Sequence, residues 1–187
     1  MCPASENVQT HQPDSSQLLK QLEQHHALIL QAAGEGIFGL DLEGRHTFVN
    51  PAAAKILGYD PEELIGRPSH SLWHHTKADG SPYPQEQCPN YRAYKDGKVH
   101  RGDDELFWRK DGSSFPAEYT STPIRNAQGA LIGAVVVFQD ITYRRQCEKA
   151  ITEFRRHTDM ILQAAGEGIF GLDLDGHHTF VNPAANR

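Results

Sequence analysis

Three histidines and one cysteine are the side chains in this sequence whose types and spacing suggest metal chemistry. They are His70, His74, His75 and Cys88. His70 and His74 stand at i and i+4, so a helix would place both imidazoles on one face, where they can chelate an ion. The sequence offers them no paired cysteine or carboxylate motif, and it contains 11 histidines. Surface or hydrogen-bonded loop histidines are therefore the preferred interpretation, and a metal site is the alternative.

A second group of residues has the bulky apolar side chains that line pockets for flat ligands such as flavins. Its members are Phe38, Phe48, Leu57, Trp73, Tyr91, Tyr94, Trp108, Tyr119, Val136 and Phe138. The same side chains are the usual material of a hydrophobic core, which is the favoured interpretation for most of them. A ligand pocket and a filled interior both stay open at this point.

No catalytic motif accompanies these residues. The sequence has no glycine-rich phosphate loop, no GxSxG elbow and no HExxH zinc motif, and its GEGIFG segment lacks the strand-loop-helix context of a nucleotide fingerprint. We therefore expect the chain itself to be non-catalytic.

Composition narrows the choice of partners and location. The formal net charge is −6 and the Lys and Arg residues are scattered, which argues against binding to nucleic acid or to an anionic membrane surface. No apolar run approaches the roughly 18 residues of a membrane span, and the polar start lacks the features of a secretory signal. A cytoplasmic location is the resulting expectation. The three cysteines are widely spaced and are expected to be reduced thiols.

An internal repeat sets the organisation of the chain. Residues 30–53 return at 162–185 with two differences, Glu43 against Asp175 and Arg45 against His177, at a period of 132 residues. Such a period fits a domain plus its linker and is too long for a solenoid repeat. The chain is thus expected to hold one whole unit and the start of a second, as a fragment of a longer tandem protein.

Within the first unit, hydrophobic periodicity and turn residues predict the order of elements. A helix is expected over residues 15–33, then a hairpin over 36–50 that turns at Glu43 and Gly44. Short helices should follow Pro51 and Asp60, with a further helix near residues 88–95. From residue 104 three strand-like runs follow, and the last, residues 131–138, is apolar on both faces, as in a central strand.

The motifs at the two ends of this unit resemble the PAS domains with their C-terminal PAC segment. The resemblance rests on GIFGLDLEGRHTFVNPAAAKILGYDPEELIG, on FWRKDGSSFPAEYTSTPI and on GALIGAVVVFQDIT, and it covers roughly residues 24–142. It implies an α+β fold: a five-stranded antiparallel sheet with short helices on one face, flanked by helical connectors. In some PAS domains the helices enclose a ligand cavity, and in others the interior is filled.

Periodicity, the repeat and the resemblance together divide the chain into segments. The expected segments are a disordered tail at 1–14, a connector helix at 15–33, a complete PAS/PAC domain at 34–142, a second connector at 143–165 and a truncated second repeat at 166–187. Asp140 and Thr142 match the family's DxT junction, which fixes the exit from the last strand into the following helix. In physical terms Thr142 is a competent N-cap and Asp140 places negative charge near the helix start, although an ordinary cap is the plainer interpretation.

The cofactors of the family find weak support in these residues. Haem-binding PAS domains carry an axial histidine on the helix that corresponds to residues 88–95, and that segment contains none. Photoactive flavin relatives carry a reactive cysteine in an Asn-Cys-Arg-Phe-like motif, whereas Cys88 stands before Pro89. The cofactor is therefore unknown, with non-covalent flavin and haem as minor alternatives.

The connector at 143–165 carries residues typical of a coiled coil. Cys147, Ile151, Phe154, Thr158, Ile161 and Ala165 alternate in spacings of four and three. A helix packed back on its own sheet is the alternative for this connector. The expected partner is a second copy, through the connectors or a sheet face, and the resemblance further implies a C-terminal output domain such as a histidine kinase or a cyclic-dinucleotide enzyme. It thus implies a bacterial sensory input module. The alternatives are a ligand-free dimerisation module and a flavin or metal redox sensor.

Overall fold

The structure, a computed structural model, describes residues 15–186, so the predicted tail at 1–14 lies outside the described residues. The helices are α1 (Ser15–Ala32), α2 (Pro51–Leu57), α3 (Pro61–Leu64), α4 (Ser69–Trp73), α5 (Pro89–Asp96) and α6 (Thr142–Ala164). The strands are β1 (Gly36–Leu40), β2 (His46–Val49), β3 (His100–Trp108), β4 (Ser114–Arg125), β5 (Leu131–Asp140), β6 (Phe170–Leu172) and β7 (His178–Val181). Two compact units adjoin in sequence between Asp140 and Ile141.

The first unit contains a five-stranded antiparallel sheet with the order β2-β1-β5-β4-β3. Tight connections join β1 to β2, β3 to β4 and β4 to β5, while the four short helices α2 to α5 connect β2 to β3. The central position of β5, between β1 and β4, is the one that its long apolar run predicts. The α+β fold with a five-stranded antiparallel sheet is confirmed.

The sheet has one well-buried face. Along β4, Phe115, Ala117 and Tyr119 are buried, whereas the intervening Glu118 and Thr120 are half-exposed. This alternation follows from the period of two in a β-strand, and it shows that the helices cover the face to which the aromatic side chains point.

The helices begin and end at residues whose local chemistry favours those positions. Asn50 caps α2 by accepting a hydrogen bond from the Ala53 amide at 2.9 Å, and Pro51 occupies the first turn. Gly58 ends the same helix with a φ of 77°, a left-handed conformation that glycine adopts without strain. Asp60 and Glu63 form a capping box at the start of α3.

Aromatic side chains fill the space between the helices and the sheet. Trp73 of α4 is completely buried, with its ring centroid 4.9 Å from that of Phe38 and 4.6 Å from that of Phe107. Each such side chain stabilises the fold by about 1.5–3 kcal/mol through burial. The middle of the unit, irregular in sequence, is therefore anchored to the sheet by one large residue.

Strand β3 differs from the prediction at its start. It begins at His100, four residues before the strand-like run that starts at residue 104, because Gly102 allows β3 to approach β4 closely. A Cβ atom at Gly102 would lie 2.5 Å from the Tyr119 ring. The register shifts between Gly102 and Glu105, and after this bulge Glu105 pairs with Ala117.

The second unit consists of α6 and the hairpin of β6 and β7. In the hairpin Phe170 pairs with Val181, and both side chains are exposed. α6 begins at Thr142 with Ile141 at the N-cap, so the expectation that Thr142 is the N-cap residue is wrong by one position. Helix ends commonly shift by a residue in this way, since the first turn can start wherever the backbone leaves the strand. Among residues 15–186, no helix has both the length and the apolar character of a membrane span.

Candidate functional site

His70, His74 and Cys88 come together at the junction of α4 and α5. The single turn of α4 places His70 and His74 on one face, and the His74 amide donates to the His70 carbonyl at 3.1 Å. Cys88 is the N-cap residue of α5 and is 1% exposed. One potential ligand atom from each residue lies within 4.8 Å of those of the other two.

Each histidine of this cluster is held from its far side. His70 Nε2 lies 2.8 Å from the Tyr83 carbonyl oxygen, and His74 Nε2 lies 2.6 Å from Glu105 Oε2. Glu105 in turn accepts hydrogen bonds from the Tyr119 hydroxyl at 2.7 Å and the Tyr83 hydroxyl at 3.0 Å. The carboxylate is thus fixed by two tyrosines, and it fixes one imidazole.

The electrostatics of the cluster favour a charged pair. Burial alone would lower the pKa of His74, but its contacts with Cys88 and Glu105 raise that pKa to about 9. Burial would raise the pKa of the Cys88 thiol, but the adjoining imidazoles of His70 and His74 lower it to about 6. These opposite shifts favour an imidazolium beside a thiolate, with His74 Nδ1 donating to Cys88 Sγ over 3.1 Å.

The remaining member of the predicted group, His75, lies outside the cluster. It is exposed, stacks on Trp108 with centroids 5.7 Å apart and lies 2.6 Å from the Thr76 hydroxyl through Nδ1. The preferred interpretation is surface or hydrogen-bonded loop histidines: His75 is exposed, and His74 follows α4 and is hydrogen-bonded, although it is only 1% exposed. His74 is buried because its ring packs on Phe107 and Tyr119.

Seven of the ten predicted pocket residues lie in one buried cluster, packed against one another. They are Phe38, Leu57, Trp73, Tyr94, Tyr119, Val136 and Phe138. Tyr91 packs against the edge of this cluster, while Phe48 and Trp108 are half-buried. A cleft of about 610 Å³ has other walls, which include Thr76, Tyr83, Arg92 and Glu105. Ligand binding by the ten residues stays a prediction.

The end of β5 is tied to the rest of the first unit by Arg109. Its Nη2 donates to Asp140 Oδ2 at 2.6 Å, its Nε donates to the Ile56 carbonyl at 3.0 Å, and its guanidinium lies 4.3 Å from the centre of the Phe115 ring. Asp140, the last residue of β5, is thus held to the residue that follows β3 and, through it, to α2. Thr142, the other predicted junction residue, is the first residue of α6.

Sequence reasoning missed three residues of these sites, Tyr83, Glu105 and Arg109. Glu105 and Arg109 belong to the run from residue 104 that the sequence predicts only to be a strand. Period-two alternation indicates which side chains share a face, but it does not indicate which polar side chain contacts a histidine. Tyr83 lies between two prolines in the irregular middle. Its XPYPX pattern indicates extended backbone, but not its contacts.

Two curated relatives are similar to most of this chain. It is 29% identical over 141 residues to the signal transduction histidine-protein kinase AtoS of Escherichia coli (strain K12), covering 75% of this chain and 22% of the kinase. It is 28% identical over 147 residues to the probable diguanylate cyclase DgcE of the same strain, covering 79% of this chain and 13% of DgcE. The chain spans less than a quarter of the length of either relative.

Solved structures share the fold. The PAS domain of a protein from Colwellia psychrerythraea superposes with a TM-score of 0.54 at 21% identity, covering 65% of this chain and 98% of that domain. The PAS domain of an HTR-like protein from Haloarcula marismortui gives a TM-score of 0.52 at 18% identity, covering 67% and 97%. Residues 24–141, more than half of the 187, match the family model of the PAS fold, and the chain therefore belongs to the PAS family.

Proposed function

We propose that this chain is the sensory input module of a longer signalling protein, and that α6 carries its state to an output domain. The proposal is supported mainly by the difference in activity between the two relatives that this chain resembles. One segment of this chain is similar to parts of both a histidine kinase and a probable diguanylate cyclase, although their reactions differ. A segment common to two different catalysts is best explained as a part that regulates them, because neither reaction could be performed by residues that both share.

The junction of Asp140 and Thr142 is the proposed point of output. Asp140 ends β5, the central strand, and Thr142 begins α6, so any change in the sheet reaches the helix through two peptide bonds. The Arg109 contact supports this role, since it links Asp140 to α2 and to β3. A rearrangement of the residues between the helices and the sheet would thus change the contacts of Asp140 at the start of α6.

Dimerisation through the connector helices is a second part of the proposal. Ile151, Phe154 and Ile161 of the α6 stripe are 54%, 73% and 68% exposed, although each would be stabilised by burial. α1 likewise exposes Leu19, Leu22 and Ile29. A parallel coiled coil with a second copy would cover these side chains with the spacing that they already have.

A ligand-free dimerisation module is the competing function. It is favoured by the seven predicted pocket residues that pack against one another in the core. In that case the module would hold two output domains together without sensing a small molecule. Under either function, haem and non-covalent flavin stay minor alternatives for a cofactor, and the cytoplasmic location stays a prediction.

A hybrid kinase tests the proposal. The matched segment of AtoS is replaced by the corresponding segment of this chain, and autophosphorylation is measured for the hybrid and for Asp140→Asn and Thr142→Ala variants. Lys110→Gln is the matched control, because it breaks the exposed Lys110–Glu63 ion pair near the same turn without touching the junction. We expect an active hybrid whose output shifts in both junction variants and is unchanged in the control.

Two results would count against the input-module function. One is hybrid output that is identical in the parent, the junction variants and the control, since a relay cannot be insensitive at its only covalent path. The other is autophosphorylation with ATP or cyclisation of GTP by the purified 187-residue chain itself. The second result would place a catalytic centre in the chain.

A further inference from the structure

The cluster of His70, His74 and Cys88 contains one possible metal ligand atom, His70 Nδ1, that the hydrogen bonds of the described residues do not use. The Tyr83 carbonyl and the Glu105 carboxylate can only accept, so His70 Nε2 and His74 Nε2 must each carry a hydrogen. On His70 this leaves the lone pair of the neutral ring on Nδ1. On His74 the lone pair on Nδ1 becomes available once the proton donated to Cys88 is removed. The far-side contacts therefore prepare both Nδ1 atoms to act as ligands beside Cys88.

The ring nitrogen of the cluster that points to a bound ion is His70 Nδ1. It is buried, and within residues 15–186 it has no hydrogen-bond partner. A buried polar atom without a partner is unfavourable, and in native proteins it is commonly explained by a water or an ion. Water would satisfy His70 Nδ1, but a cation would satisfy it together with the thiolate and the second imidazole.

We propose that His70 Nδ1, His74 Nδ1 and Cys88 Sγ bind one Zn²⁺ ion and leave a fourth position open to solvent or to a small ligand. Two imidazoles and a thiolate are a donor set that zinc prefers over magnesium or calcium. Ligand atoms about 2.0–2.3 Å from a tetrahedral ion lie roughly 3.3–3.8 Å apart. The cluster, within 4.8 Å throughout, reaches that arrangement through small side-chain movements. Zinc displaces the proton shared by His74 and Cys88, which leaves to solvent.

The surroundings have the form of a second coordination shell. Ligating histidines in proteins usually donate their other ring hydrogen to a carboxylate or a carbonyl, which orients the ring and strengthens it as a ligand. Both types are present here, Glu105 for His74 and the Tyr83 carbonyl for His70. Glu105 and Tyr83 also line the cleft of about 610 Å³, so the outer shell of the site adjoins solvent-accessible space.

Titration of the full chain with Co²⁺, followed by competition with Zn²⁺, tests the site. Cobalt reports its ligands, because a bound thiolate produces charge-transfer absorption and a tetrahedral site produces intense visible bands. We expect one equivalent of Co²⁺ with both signals, displaced by one equivalent of Zn²⁺. Cys88→Ser should lose the charge-transfer band, whereas Cys147→Ser, at the other described cysteine, should keep it.

Histidine and carboxylate variants locate the other ligands. His70→Gln should abolish tight binding, and His75→Gln, its exposed neighbour, should leave it unchanged. Glu105→Gln should weaken Zn²⁺ binding by about 10–100-fold while the cobalt spectrum persists. Far-ultraviolet circular dichroism identifies any variant that fails to fold, and for such a variant X-ray absorption of the zinc-loaded wild type supplies the ligand count instead.

The zinc site would be refuted if the wild type shows no thiolate charge-transfer band at saturating Co²⁺, or if that band survives in Cys88→Ser. An exposed group on the second unit, Asp173, Asp175 and His177, also has ligand atoms near one another, but it contains no sulfur and cannot produce that band. Zn²⁺ binding at this site is separate from the relay to an output domain, so either can fail without the other.

Discussion

Asn50 and Asn182, 132 residues apart, make the same four hydrogen bonds in the two units. Asn50 accepts from the amides of Ile37 and Ala53 and donates to the carbonyls of Leu30 and Glu35. Asn182 makes the equivalent bonds to Ile169, Ala185, Leu162 and Glu167. One side chain in each unit therefore ties the preceding helix, the hairpin and the following turn together, which explains how a repeated stretch of sequence repeats its structure.

We expect Asn50→Ala to destabilise the first unit by about 2–4 kcal/mol, because it leaves buried amides and carbonyls without partners. Urea unfolding followed by tryptophan fluorescence measures this change, since both tryptophans lie in the first unit. Asn182→Ala is the matched control and should leave that transition in place while it increases amide exchange at residues 169–185. Equal effects of the two variants on the tryptophan transition would contradict this account.

The stability of the first unit should also depend on pH through His46. His46 Nδ1 donates to the Arg67 carbonyl over 2.9 Å, and His46 Nε2 accepts from the Trp73 indole over 3.2 Å, so both ring nitrogens are engaged in the neutral form. Burial lowers the pKa of His46 below its usual 6.5. The unfolded chain therefore binds a proton first as the pH falls, and the folded state loses stability from about pH 6.5 downward to the folded pKa.

His46→Asn removes this titration and keeps a donor near Arg67. Its free energy of unfolding should fall less than that of the wild type between about pH 7.5 and about pH 5.5. His26→Gln, at an exposed position of α1, should retain the wild-type dependence. Because His74 titrates in the opposite direction, the quantity to compare is the difference between each variant and the wild type, and identical slopes for His46→Asn and wild type would refute the role of His46.

The exposed stripe of α6 yields a prediction about association. Phe154→Glu places a charge at the centre of the stripe, where a coiled coil would bury it, and should shift a dimer strongly toward monomer in sedimentation equilibrium. Gln163→Glu introduces the same charge off the stripe and should leave the dimer intact. A wild-type chain that stays monomeric at high concentration, or equal association of both variants, would exclude dimerisation through α6.

The sequence predicts most of the fold because its signals are local. The Glu43-Gly44 turn, Pro51 and Asp60 each specify a boundary within a few residues, and the apolar run of β5 indicates its central position. The site is less predictable, since its geometry depends on contacts distant in sequence. His74 meets Glu105 across 31 residues because α4 packs against β3, and Arg109 meets Asp140 across the same separation because β4 aligns β3 with β5.

Amide exchange of α6 tests the central claim, that the sheet transmits its state through Asp140. Hydrogen exchange is followed by mass spectrometry over residues 142–164 and over β4 and β5 in the full chain, for wild type, Asp140→Asn and the Lys110→Gln control. We predict faster exchange in the first turns of α6 in Asp140→Asn, with unchanged protection of β4 and β5 and no change in the control. Identical exchange of α6 in all three proteins, or loss of protection spread evenly over the sheet and the helix, would contradict the account.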